Sequence, residues 1–170
     1  MNLVSPLKLM VAASLVASVL AGCGPGEPDM PLLDAIDQHN IEAVQQHIDA
    51  GTDINNTFIP AGIAFEGASA LHVAILKHNA QMVHLLIDNG ADVNIKARET
   101  FGGSPIEWAA FFGLPAMVQL LIQAGADVNA ENYFGNTPLD AALAPEALGK
   151  EADRLEVDSL LKAAGGATSK

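Results

Sequence analysis

One phrase occurs three times in this chain and restricts what it can fold into. It reads Gly51-Thr52-Asp53-Ile54-Asn55, then Gly90-Ala91-Asp92-Val93-Asn94, then Gly125-Ala126-Asp127-Val128-Asn129, at intervals of 39 and 35 positions. A repeat of that length is a supersecondary unit that cannot bury its apolar face alone, so the copies must stack into a solenoid. Each copy follows an apolar run. Its Gly can take the left-handed conformation that closes a helix, and the Asp and Asn that follow favour a turn.

The residues upstream of each phrase complete the unit. Ala70-Leu71-His72-Val73-Ala74, Pro105-Ile106-Glu107-Trp108-Ala109 and Pro138-Leu139-Asp140-Ala141-Ala142 each follow a hydroxyl residue, Ser69, Ser104 or Thr137. A hydroxyl is a good N-cap, and Pro at the first helical position gives up no needed donor. A short first helix should break near His78-Asn79 in one copy and Gly113 in the next. A second helix follows, carrying Met82, Val83, Leu85, Leu86 and Ile87, or Met117, Val118, Leu120, Leu121 and Ile122, at spacing that makes one buried face.

In order, spacing and capping chemistry these segments resemble the ankyrin repeat, with its Thr-Pro-Leu-His start and Gly-Ala-Asp-Val-Asn end. The resemblance covers roughly residues 30–170 and implies an all-α solenoid of about four repeats. The outer copies look like caps. The first begins Leu32-Leu33-Asp34-Ala35-Ile36 and has Gln46 and His47 where the next has Leu85 and Leu86, which suits a wettable end. The last is interrupted by Ala144-Pro145-Glu146 through Ala152, and Pro145 should stop any helix there. The tail from Gly165 to Lys170 is expected to fray.

Residues 1–22 read as a separate object. Leu9 to Leu20 is a short apolar run preceded by Lys8, too short to span a bilayer comfortably and suited to a secretory signal. Its end, Leu20-Ala21-Gly22-Cys23, resembles the bacterial lipobox, in which cleavage precedes the Cys. By that resemblance Cys23 would become the lipidated N-terminus, and residues 23–29 would be a short tether of at most about 20 Å beyond it. The competing reading is an ordinary signal peptide with an incidental Cys. Cys23 is the sole cysteine, so no intramolecular disulfide can form. In such lipoproteins an Asp after the Cys commonly signals inner-membrane retention. Gly24 stands there, which favours the outer membrane facing the periplasm over the inner membrane or the cell surface.

Without residues 1–22 the chain has 7 basic and 20 acidic residues, a net charge of −13. That disfavours nucleic acid and anionic lipid, whose binding needs cationic side chains, and would attract a basic protein. The membrane is expected as a partner through the lipid alone, and the protein as a monomer. The bland alternative is a solvated acidic surface.

All eight aromatic residues avoid the second helices. Phe58 and Phe65 fall in the first connection, Phe101 in the second, Tyr133 and Phe134 in the third, and Trp108, Phe111 and Phe112 on or beside a first helix. In ankyrin proteins the first helices and hairpin loops line the concave binding face, so the resemblance puts all eight at a protein-binding groove or its rim. Large rigid rings are what interface hot spots are made of. The competing reading has Trp108 packing between neighbouring first helices and Phe65 folding under its own loop. Phe111 and Phe112 point about 100° apart on a helix, so at least one should be exposed, in a patch with Trp108 and Tyr133. The first connection, Asn55 to Gly67, is long and apolar for a loop. Its length fits either a binding element or a lid over the groove end.

Nothing in the chain suggests catalysis or a cofactor. The five His, at 39, 47, 72, 78 and 84, show no metal-ligand spacing, and no phosphate loop or nucleophile motif is present. His72, the His of the repeat signature, should bond nearby backbone, while His39 and His78 could stack on neighbouring repeats. The reading is a non-enzymatic protein-binding module, membrane-tethered in the periplasm. It would be an immunity-type inhibitor of a toxic envelope-targeting enzyme, or a scaffold or accessory factor for a resident envelope enzyme. A purely structural envelope protein is the remaining class.

Overall fold

A computed structural model describes residues 28–99 and 101–169. Eight helices occur there: α1 (Leu32–Asp37), α2 (Ile41–Asp49), α3 (Ala70–Leu76), α4 (Ala80–Asp88), α5 (Pro105–Phe111), α6 (Pro115–Gln123), α7 (Pro138–Leu143) and α8 (Glu151–Ala163). They pair as four helical hairpins. The first helices α1, α3, α5 and α7 lie side by side in one layer, and each also packs on its own second helix. The result is the expected all-α solenoid of four units. Among the described residues no helix is long and apolar enough to cross a membrane.

Helices of six to nine residues, as α1 to α7 are, have no stability of their own in water. Local caps define them. Ser69 with His72, and Thr137 with Asp140, form reciprocal capping boxes, and Ser104 accepts from the Glu107 amide at 3.4 Å. Asn40 and Asn79 cap α2 and α4, and Pro115 opens α6. Between the helices of a pair one residue turns left-handed: His39 (φ 56°), His78 (φ 54°) or Gly113 (φ 63°). Stacking supplies the rest. Ile36, Val44, Leu71, Ile75, Met82, Leu86, Ile106, Val118, Leu121, Val157 and Leu161 form one continuous buried core through all four units.

The Asn of the repeated phrase does more than turn the chain. Asn55 donates to Gly90 O (2.8 Å) and accepts from Asp92 N (2.8 Å), and Asn94 accepts from Asp127 N (2.8 Å). Each phrase is thus bolted to the next. Asn129 completes the series by donating to Gly165 O (3.1 Å) and accepting from Ala167 N (2.8 Å). The segment after α8 therefore acts as a fourth copy of the phrase. Thr137 also donates to Ala167 O, and Asp140 accepts from Ser169 N. This corrects the expectation of a frayed tail, because Gly165 O, Ala167 N, Ala167 O and Ser169 N are held by Asn129, Thr137 and Asp140.

His47 is a second correction. It is buried rather than part of a wettable end, with its ring bonded to Met30 O (2.7 Å) and Thr52 Oγ1 (3.1 Å). Met30, just before α1, covers this flank of the first unit among the described residues. Gln46 is exposed, as expected, and Pro145 does separate α7 from α8. His39 reaches the neighbouring unit through a hydrogen bond with Asn79 (2.8 Å).

Candidate partner-binding groove

The third residue of α3, α5 and α7 carries a polar side chain that reaches the following hairpin or the tail: His72, Glu107 and Asp140. His72 has no exposure. Its Nδ1 faces Ser69 N and Oγ, and its Nε2 bonds Gly103 O at 3.1 Å. Because the Gly103 carbonyl can only accept and the Ser69 N–H can only donate, the ring carries its proton on Nε2, leaves Nδ1 as an acceptor and is neutral. Burial, partly offset by the bond to Gly103, lowers its pKa from 6.5 to about 4. At the same position of the last unit, burial pushes the Asp140 carboxyl upward, but bonds from Thr137 and Ser169 outweigh it and leave the pKa below its ordinary value.

Glu107, in the unit between them, is the exception. Its Oε1 accepts from Asn132 Nδ2 at 2.6 Å, while its Oε2 is buried with no hydrogen-bond partner. Only 7 % of the residue is exposed. Burial raises its pKa from 4.5 to about 7, against the lowering effect of the Asn132 bond and of the nearby Ser104 backbone N–H, which lies outside hydrogen-bond geometry with the carboxyl. Asn132 itself organises the third hairpin, accepting from Phe134 N and Asn136 N. Neither residue stands out as functional in the repeat pattern. The available signal was a Glu where the preceding copy has His72.

Around this carboxyl lies a groove of about 550 Å³, floored by α5 and flanked by α7 and the hairpins. Phe65, Phe101, Trp108, Phe111 and Phe112 line it. Trp108 and Phe112 lie 6.2 Å apart between ring centroids, and Phe65 sits 6.0 Å from each. Phe111 meets Phe112 edge-on at 5.4 Å. On its far side Trp108 packs edge-on to His72 at 4.8 Å. Trp108, Phe111 and Phe112 are each half-buried, and Phe65 is 50 % exposed. A second groove of about 590 Å³ lies toward α1, and Phe65 and Phe112 line both.

The other expected rings stand elsewhere. Tyr133 is not in the Trp108 patch, which corrects that expectation. Its ring lies against Gly102, under the Lys96 ammonium 5.4 Å away, because Tyr133 N is held by Phe101 O. Phe134 pairs with Phe101 at 5.4 Å on the exposed hairpin tips. Phe58 lines neither groove. It is covered by the Arg98 guanidinium at 3.7 Å and bridges to Ser69 across the first connection.

That connection is an ordered hairpin. Ile59 and Gly67–Ala68 exchange backbone bonds, and Ile59 packs on the core, so the base is framework. The tip from Pro60 to Glu66 is exposed. At its end Phe65 sits at φ 60°, a conformation that costs a non-Gly residue about 1 kcal/mol or more and clusters at functional sites. Cys23, with the whole of residues 1–22, lies outside the described residues. Among the described residues no group of three or more His, Cys, Asp or Glu is placed to hold a metal ion.

A family model described as ankyrin repeats, in three copies, matches residues 32–132. Among curated proteins, "Protein phosphatase 1 regulatory subunit 27" of Mus musculus is 37% identical over 112 residues, 66% of this chain and 68% of that one. The Homo sapiens protein of the same name is 36% identical over 112 residues. "Protein PhlB" of Serratia liquefaciens is 34% identical over 118 residues, 69% of this chain and 49% of PhlB, so the match spans about half of that protein.

Proposed function

Because this chain belongs to the ankyrin-repeat family, we propose that it is a non-enzymatic module that grips a protein partner in the groove floored by α5. The observation that carries this reading is the ring cluster itself. Trp108, Phe111, Phe112 and Phe65 stay partly open to solvent on the first-helix side, although the core beside them is fully closed. Rigid rings in such a setting give large contact area at low entropy cost. The Phe65 tip, held left-handed against Trp108 and Phe112, extends the groove wall rather than sealing it.

The relatives named as phosphatase regulatory subunits support an enzyme as the partner. The tether rests on Leu20-Ala21-Gly22-Cys23, which resembles a lipobox and would hold the groove within a short reach of the periplasmic face of the outer membrane. Two roles use the same groove. An immunity-type inhibitor would lower the activity of a toxic envelope-targeting enzyme, and an accessory factor would raise or sustain that of a resident one.

Affinity capture from envelope and secreted fractions, with native bait beside a Phe111→Asp, Phe112→Asp double variant, tests the groove. A protein retained by the first bait and lost from the second is the expected result, and its activity with and without this chain separates the two roles. Equal retention by both baits overturns the groove reading.

A further inference from the structure

The groove is unlike an ordinary apolar cleft in its charge. Five carboxyl groups line it, from Glu66, Glu99, Glu107, Asp140 and Glu146, and no Lys, Arg or His does. The cations nearest the wall have other contacts. Arg154 bonds Ala144 O at 3.3 Å on the groove edge. Lys96 lies over the Tyr133 ring, and Arg98 covers Phe58 and bonds Asn56 Oδ1 at 2.7 Å. Among the described residues the recorded ion pairs, Lys77 with Asp37 and Lys162 with Asp158, involve none of the five.

Within that wall one polar atom lacks a partner. Glu107 Oε2 sits beside the Gly103 α-carbon, where an added methyl would come within 3.5 Å of it and within 2.7 Å of Trp108 Cδ1 and Nε1. Gly103, Glu107 and Trp108 all line the groove. Side-chain oxygens left unpaired at such depth are uncommon and call for a donor. The same wall presents the rings of Phe65 and Phe112 tilted against Trp108, their centroids 6.0 and 6.2 Å from its own. A donor that carries positive charge, lies flat on aromatic faces and is weakly hydrated meets all three conditions, and a guanidinium is that group. An ammonium shares the charge but holds its water more strongly and does not stack.

We propose that the groove is an anchor pocket for one arginine side chain of the partner protein, its guanidinium against Trp108 and Phe112 and hydrogen-bonded to Glu107. The pocket rests on the protein-binding reading above and specifies the chemistry of its contact. Glu107 supplies the charge-assisted bond, and Glu99, Asp140 and Glu146 supply the surrounding negative field. Asn132 keeps the Glu107 carboxyl oriented through Oε1 and leaves Oε2 for the ligand.

Trp108 is the sole tryptophan, so its emission reports on this site alone. N-acetyl-arginine methylamide and its lysine and citrulline counterparts are titrated into the full-length chain. Citrulline keeps the shape of arginine without its charge. The expected result is saturable quenching or shift by the arginine probe, with citrulline weaker by about tenfold or more and lysine between them. Glu107→Gln should reduce the arginine probe to the citrulline level, and Glu146→Gln on the exposed rim should weaken it by less than about threefold. If Glu107→Gln fails to fold, the contrast between arginine and citrulline on the unaltered chain decides. Equal responses to arginine and citrulline, or no saturable response to either, overturns the anchor. A capture experiment that still depends on Phe111 and Phe112 would then leave the groove reading standing without it.

Discussion

Replacing Glu107 by Gln should make the fold markedly more acid-sensitive, although it removes an acidic group. The reason lies in two buried side chains with opposite shifts. His72 titrates near 6.5 when unfolded and about 4 when folded. Below pH 6.5 the unfolded chain takes up a proton that the folded chain refuses, so this residue's stabilisation is complete above pH 6.5 and is lost as pH falls toward 4. Glu107 moves from 4.5 to about 7 on folding. Between those values the folded chain keeps a proton that the unfolded chain has released, so its contribution favours the fold at low pH and is lost as pH rises toward 7.

Each displacement corresponds to about 3 kcal/mol, with a slope of at most about 1.4 kcal/mol per pH unit. The slopes oppose each other across the shared window from about pH 4.5 to 6.5, so the native chain should show little net dependence from this pair. Asp140, with its lowered pKa, acts below its ordinary value of 3.8 and outside that window. In Glu107→Gln the His72 slope stands alone, and stability should fall by about 3 kcal/mol between pH 6.5 and 4. Urea unfolding followed by Trp108 emission across this range reads the difference. Parallel profiles for the native chain and the variant would refute the opposed-titration argument, whatever their vertical offset.

Asn129→Ala should cost about 1–2 kcal/mol and raise amide hydrogen exchange at residues 165–169, because both tail bonds to that side chain disappear; unchanged exchange would show that the tail is held by other contacts. Gly67→Ala and Gly90→Ala both place a side chain at positive φ, but only the first meets backbone, with Arg98 C and Glu99 N 2.5 Å from the new methyl. Gly67→Ala should therefore cost more than about 3 kcal/mol in urea unfolding and Gly90→Ala about 1 kcal/mol. Phe65→Ala should lower stability by only about 1 kcal/mol, the worth of its ring contacts, while weakening partner capture; a loss of 3 kcal/mol or more would mark the ring as core instead. Cys23→Ser should move the chain from the membrane pellet to the soluble fraction and abolish labelling by a fatty-acid analogue, and continued labelling would dismiss the lipobox reading.

The array itself could be read from the residues in order because its determinants act over a few positions. Ser69, Ser104 and Thr137 cap helices at the residue three positions on, and Gly51, Gly90 and Gly125 turn left-handed where the helix ends and the phrase begins, each with φ between 76° and 90°. That the rings avoid the second helices was equally visible, since spacing alone assigns them to the first helices and connections. How the rings group was not. Phe65 joins Trp108 and Phe112, whereas Tyr133 turns to Gly102 and Lys96, and these neighbours come together only when successive hairpins stack.

The same distinction separates what the chain by itself determined from what tertiary structure decided. Period, caps and the apolar faces of α4 and α6 are local chemistry, and they made a solenoid of four units the consistent solution. The bonds from Asn129 to the tail span 36 and 38 residues, and the one from Asn132 to Glu107 spans 25. They decide that the end does not fray and that one carboxyl oxygen is left over at the groove. Whether a buried polar atom is satisfied depends on which groups the neighbouring unit brings to it, and only the stacked structure brings them.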